Sequence, residues 1–318
     1  MSLGCRLLVP ALGMVIAVGT HAQDDGTNVT YEGMLVDGVR EGRGTLTWGG
    51  GHRYEGEFKA GEMHGQGVHT TPNGEVYVGA FANGERDGQG TLRFPNEDVY
   101  TGEFRRNEMT GRGRLAWANG DVYEGDFVNG RRTGGGVLRW RTGAVYEGDF
   151  LDGVPHGQGV YQYDDARTYR GGFEHGRRHG RGELDWEGNR YVGEFSNDER
   201  HGLGHYLWRD GTLYKGNFAY DRQHGPGVKT TSGGELAFEV WDNGEPSAAV
   251  AVEPVARCGL QVDGEPWMFN GDDCINGLAH GEGDAVSLDG SAYVLNGSYV
   301  LGRLIRGEVR SLEFSDGG

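Results

Sequence analysis

A tyrosine returns at a fixed interval along most of this chain. Tyr31, Tyr54, Tyr77, Tyr100, Tyr123, Tyr146 and Tyr169 are 23 residues apart, Tyr191 follows after 22 and Tyr214 after 23. A period this strict admits only stacked, similar units, each too small to bury its apolar face alone. With each tyrosine as position 0, position 2 is glycine in all these units, from Gly33 to Gly216. Position 4 is Leu35 and then Phe58, Phe81, Phe104, Phe127, Phe150, Phe173, Phe195 and Phe218. Positions 11 and 13 are again glycine, and position 17 is mostly aromatic: Trp48, Phe94, Trp117, Trp140, Tyr163, Trp186 and Trp208.

The spacing defines each unit. Tyr, Gly and Phe at positions 0, 2 and 4 share one face of a strand, and positions 13, 15 and 17 share one face of a second. Polar turns such as "VNGRRTG" join the two, so each repeat reads as a β-hairpin. The segments between hairpins, such as "WANGDV", are also turn-like and continue one antiparallel meander. The expected fold is all-β: an elongated single-layer antiparallel meander of stacked hairpins. Glycine supplies 62 of 318 residues, a share that without a period would point to disorder. Here the same-face glycines sit between large rings and leave room for aromatics to lie flat over the backbone. Glycine at position 11 is expected to take a positive φ.

On these residues the chain resembles MORN-repeat proteins of an exported bacterial type, whose unit reads much like "YEGEFKNGKRHGKGTL". The likeness covers residues 31 to about 235, with departures at Leu35 and at position 7, where Asn107, Asp198 and Asp221 replace glycine. It implies a twisted single-layer sheet and a role in scaffolding, partner binding or membrane association.

The ends differ from the array. Leu7 to Val18 is a short apolar run behind Arg6, and Thr20-His21-Ala22 offers a small residue before Gln23. This predicts a signal peptide over 1–22, cleaved after Ala22, then a lead-in at 23–30. Cleavage removes Cys5 and leaves Cys258 and Cys274 as an even pair in an oxidising compartment, hence a predicted structural disulfide. Loss of Arg6 takes the formal charge from −17 to −18. Such a charge repels nucleic acid and anionic lipid, so no nucleic-acid partner is expected and membrane association is disfavoured. Trp241 and Gly244 fit a truncated tenth unit, placing the array at 31–245. "PSAAVAVEPVA" reads as a linker over 246–256. Residues 257–318 read as a degenerate, disulfide-stapled hairpin cap or a separate small domain. "HGEG" at His280 puts Gly277 at position 7 and Cys274 at the Phe position, while Gly297, Tyr299 and Gly302 mark a further worn unit.

No catalytic constellation appears: there is no nucleophile elbow, phosphate loop or zinc-protease motif, and the remaining sequence is too short for an enzyme domain. No catalytic residue, cofactor or metal is expected. His64, His156, His179, His201 and His224 share position 10, but units two strands apart lie about 10 Å from one another, too far for one ion. Carboxylates at positions 1 and 3, such as Glu55 with Glu57, read as a solvated face with Arg93 and Arg139 as pairing candidates. The candidate interaction face is the aromatic one: Tyr54, Phe58, Tyr77, Phe81, Tyr100, Phe104, Trp117, Tyr123, Phe127, Trp140, Tyr146, Phe150, Trp186 and Trp208. The expected function is a non-enzymatic exported scaffold, periplasmic or else extracellular, that binds a cell-envelope protein. The alternatives are binding of peptidoglycan or another polysaccharide through the aromatic row, and a membrane-associated adaptor.

Overall fold

The computed structural model describes residues 16–18, 22–24, 27–252, 258–275 and 278–313. They divide into two units, Met1–Arg141 and Thr142–Gly318. Each repeat is the expected hairpin. In the second repeat, strand His52–Lys59 pairs antiparallel with Glu62–Thr70, which in turn pairs with Val76–Ala82 of the next.

Three backbone devices recur. The first is the tight turn. Ala60 and Gly61 have φ of 50° and 85°, the primed geometry that matches the twist of a hairpin. The Gly61 amide donates to the Arg40 carbonyl of the preceding repeat at 3.0 Å, so the turn also ties neighbours together. The second is a bulge at position 11. Gly56 pairs with Gly67 and Glu57 with His64, which leaves Gly65 and Gln66 unopposed on that side. Gly65 takes φ of 58°, so the positive φ expected at position 11 serves a bulge rather than a turn. The third is the glycine pair under the tyrosine. A Cβ on Gly67 would stand 2.4 Å from the Tyr54 ring, and one on Gly56 would stand 2.6 Å from the Gly67 Cα. The ring therefore lies flat where two side chains are missing.

The departures at position 7 have a physical logic. Asn107, Asp198 and Asp221 all hold positive φ, at 70°, 76° and 64°. Each side-chain oxygen accepts a hydrogen bond from the amide at position 9 of the preceding repeat: Arg86, Arg178 and Arg200, all at 2.9 Å. That residue is arginine in all three cases, and the guanidinium groups of Arg178 and Arg200 also reach their aspartate carboxylates.

The ends of the array correct two boundaries. Glu245–Val252 is a strand that pairs with Leu236–Asp242, so most of the expected linker continues the sheet. Small and β-branched residues after an Asn-Gly turn are compatible with a strand, and the low complexity of the segment disguised it. Residues 253–257 lie outside the described residues. At the other end, strand Thr27–Val36 begins inside the expected lead-in, and Ile16–Val18 and Ala22–Asp24 pair with it. The rest of the expected signal segment lies outside the described residues.

The C-terminal residues form a separate six-stranded sheet. Its hairpin of Glu265–Ile275 and Leu278–Ser287 pairs Gly271 with Gly283 and Asp273 with His280, so its first strand has one residue more between these pairs than the repeat has between Gly56 and Glu57. The half of this hairpin nearest the turn follows the register read from Cys274, and the other half is shifted by one. Cys258 is buried. The Cys274 side chain and Gly277 lie outside the described residues, and with them the predicted pairing.

This sheet makes the second unit two-layered at its end. Met268, Val286, Tyr293 and Leu312 share a core with Val228 and Phe238 of the last repeats. Leu203, Leu236 and Val240 pack against its margin. In repeat numbering these residues sit at positions 12, 14, 1 and 3 or just before position 0, on the face opposite the tyrosines. The array itself is the expected antiparallel meander, and at the last repeats, where that face is apolar, the C-terminal sheet adds a second layer to it.

Candidate interaction faces

The aromatic face is built by packing of ring on ring. Within the array a tyrosine meets the phenylalanine of its own repeat and that of the next edge-on: Tyr54 lies 5.1 Å from Phe58 and 5.0 Å from Phe81, with ring planes 88° and 80° apart. The same pattern joins Tyr77 to Phe81 and Phe104, and Tyr100 to Phe104 and Phe127. In the second unit it joins Tyr146 to Phe150 and Phe173. Such edge-to-face pairs contribute roughly 0.5–1.5 kcal/mol each beyond their area. The phenol of Tyr54 donates to the Glu57 carbonyl at 2.9 Å, which satisfies it without water. Burial pushes the phenols of Tyr54, Tyr77, Tyr100 and Tyr123 up to about 12.

The expected interaction face is thereby corrected. Tyr54, Tyr77, Tyr100, Tyr123 and Tyr146 are 0% exposed, and Phe58, Phe81, Phe104, Phe127 and Phe150 are likewise buried. These rings are core, because the glycine pairs let them sink onto the backbone and contact one another. Trp117, Trp140, Trp186 and Trp208 remain half-buried at the margin. Cations meet some of them: Arg132 lies 5.2 Å from the ring of Trp117 and Lys229 lies 6.0 Å from that of Trp208.

Sequence reading missed the arginine row. Position 9 is Arg40, Arg86, Arg132, Arg178 and Arg200 in five of the units, and each guanidinium lies over aromatic rings of the array. Arg86, for example, lies 5.5 Å from Tyr77 and 5.9 Å from Phe104. The signal was present as a recurring cation at fixed phase, but the repeat alternates it with Met63, Met109 and Pro155.

The opposite face holds the polar candidates. Carboxylates at position 3 are caps on the bulge: Asp149 accepts from the Gln158 amide at 3.1 Å and Glu57 from the Gln66 amide at 3.4 Å. Carboxylates at position 1 pair with arginine, as Glu124 does with Arg114 at 3.2 Å and Glu55 with Arg53 at 2.7 Å. Arg93 pairs instead with Glu97 in its own turn, and Arg139 stands across from Val122, off the register of positions 1 and 3. Among the described residues no three His, Cys, Asp or Glu side chains gather as metal ligands.

This opposite face is concave where it is open. In the first unit a groove of about 460 Å³ is lined by Arg43, Glu55, Gln66, Val68 and Val78. In the second unit a groove of about 290 Å³ lies among Arg170, Arg181, Glu183 and Val192. Further along the second unit the same face carries the chain's own C-terminal sheet. There His205 hydrogen-bonds the Leu312 carbonyl and Lys215 pairs with Glu313.

Repetition of one glycine-aromatic hairpin with these bulges and turns defines a class of β-hairpin repeat protein. Nine segments match the MORN repeat, at residues 31–53, 54–76, 77–99, 100–122, 123–145, 146–165, 169–189, 191–213 and 214–235. They span more than half of the chain, which belongs to the MORN-repeat family. No curated protein matches. Among solved structures the TCP10 domain of Danio rerio CPAP is similar at 11% identity, over 65% of this chain and 99% of that one, with a TM-score of 0.37. The TCP domain of Drosophila melanogaster SAS-4, in complex with a proline-rich motif of Ana2, is similar at 14% identity, over 55% and 90%, with a TM-score of 0.32.

Proposed function

We propose that this MORN-repeat protein is a non-enzymatic, exported scaffold that binds a cell-envelope protein through the face opposite its tyrosines. The observation that carries this reading is the C-terminal sheet itself. On the last repeats that face buries Val228 at 1% exposure and Phe238 at 5% against a second sheet. The chain thus uses the face for protein–protein packing in cis. On earlier repeats the same positions line open grooves with mixed polar and aliphatic walls, the composition of a non-obligate interface.

Export rests on the apolar run behind Arg6 and the small residue at Ala22. The disulfide between Cys258 and Cys274 belongs to the same reading. Intact-mass measurement of protein recovered from the periplasm checks both, since the chain should begin at Gln23 and gain mass on alkylation only after reduction. The partner reading is tested by placing a photo-crosslinking residue at Val78 or at Tyr220, which is exposed elsewhere. A protein captured from envelope extract at Val78 and not at Tyr220 supports it. Equal capture at both sites sinks it. The formal charge of −18 argues against anionic membranes, and flotation with such vesicles should leave the protein unbound.

A further inference from the structure

The aromatic face is closed over most of its described length, but it opens in the first repeats. A cavity of about 440 Å³ lies there, within the roughly 300–1,000 Å³ of small-molecule sites. Trp48, Phe58 and Met63 give it apolar walls, and Arg40 and Glu62 are its charged groups. Met63 holds position 9, where Arg40 and Arg86 stand in the repeats on either side.

Trp48 is held in an unusual way. His52 and His69 both stack on its indole, with ring centroids at 5.3 Å and planes 20° and 8° from parallel. The two imidazoles are joined by a hydrogen bond of 3.4 Å between Nδ1 of His52 and Nε2 of His69. Neither imidazole lines the cavity, whereas Trp48 does. The repeat pattern does not require this stack, because His69 occupies position 15, where most other units carry leucine or tyrosine. The arrangement fixes an indole as a rigid wall of an open cavity.

We propose that this cavity binds a neutral hexopyranose ring of a wall or capsular polysaccharide. A pyranose offers an apolar face of C–H groups that packs on an aromatic plane, and a rim of hydroxyls that both donate and accept. Trp48 supplies the plane. The Arg40 guanidinium donates only and the Glu62 carboxylate accepts only, so the pair can satisfy both senses of a hydroxyl rim. Charge selects among sugars: a chain of formal charge −17, or −18 after cleavage, repels polyanionic glycans at long range, while a neutral ring pays no such cost. The site is distinct from the groove on the opposite face, so failure of one proposal leaves the other standing.

The test is titration of the mature chain with cellotetraose and with tri-N-acetylchitotriose, read by tryptophan fluorescence and calorimetry. Saturable binding of either sugar is expected, weakened about tenfold or more by Trp48→Ala and less by Trp48→Phe. Arg40→Gln and Glu62→Gln should each weaken it, and Trp208→Ala should leave it unchanged. Thermal melts accompany every variant, and if Trp48→Ala unfolds the array, Arg40→Gln and Glu62→Gln decide. No saturation by either sugar at about 10 mM overturns the proposal, as does binding that survives all three pocket variants.

Discussion

The repeats of the first unit and the last repeats of the second share one phrase and one inner face, yet they carry different outer faces. In both, tyrosine lies over a glycine pair and meets phenylalanine edge-on. On the outer face, position 1 is Glu32, Glu55, Val78, Thr101 and Glu124 in the first unit but Lys215 and then Phe238 at the end of the array. Position 12 is Arg43, Gln66, Gln89, Arg112 and Gly135 in the first unit but Leu203 and Pro226 at the end. Among the described residues of the first unit nothing covers that face, whereas the last repeats hold a second sheet on it. The inner positions therefore fix the repeat, and the outer positions decide whether a repeat is one layer or two.

The largest effect should come from testing the shared inner face. Gly136→Ala would place a Cβ 2.5 Å from the Tyr123 ring, and should destabilise by about 1–3 kcal/mol or more in urea unfolding. Its neighbour is the control. Gly135 faces outward with nothing within 4 Å of a built Cβ, so Gly135→Ala should stay within about 0.5 kcal/mol of wild type. Equal effects would show that the tyrosine–glycine layer is not what holds the repeats.

The outer faces are separated by a second pair of variants. Leu312→Ala removes a side chain of 0% exposure from the core between the two sheets and should cost about 2–5 kcal/mol, with early proteolysis confined to the C-terminal sheet. Val78→Ala, at 49% exposure in the first unit, should be nearly neutral. If Val78→Ala destabilises as much as Leu312→Ala, the outer face of the first unit is covered in solution.

Alkaline titration probes the inner face in both units at once. The buried phenols of Tyr54, Tyr77, Tyr100 and Tyr123 are raised to about 12, above the ordinary 10, because burial disfavours the phenolate. Those of Tyr146, Tyr169, Tyr191 and Tyr214 are raised for the same reason. The folded state keeps protons that the unfolded chain releases, so this stabilisation is complete below pH 10 and is lost as pH rises from 10 through 12. Phenolate absorbance should therefore rise in one cooperative step with unfolding. Gradual ionisation of the tyrosines in a folded chain would place them at the surface.

The smallest effect concerns the bonds between repeats. Asp221→Gly keeps a residue able to hold φ of 64° but deletes the carboxylate that accepts from the Arg200 amide and guanidinium. A loss of about 1 kcal/mol is expected. Gly130 already lacks such a group, so Gly130→Ala should cost by strain at φ of 76° instead, and the two losses should respond differently to salt.

What the sequence determined by itself is the repeat. Tyr, Gly and Phe at alternate positions force a strand with one crowded face, and paired glycines at 2 and 13 show where that face must be thin. Hairpin, meander and family all follow, because each rests on contacts within one unit and its neighbours. Three matters needed the tertiary structure. The rings proved to be core rather than an accessible surface, since exposure depends on how far Tyr54 and Phe58 sink onto neighbouring strands. The segment 245–252 proved to be a strand, since only the partner Leu236–Asp242 gives it a ladder. The second layer over Val228 and Phe238 was decided last, because it joins residues far apart in the chain whose periodicity carries no trace of one another.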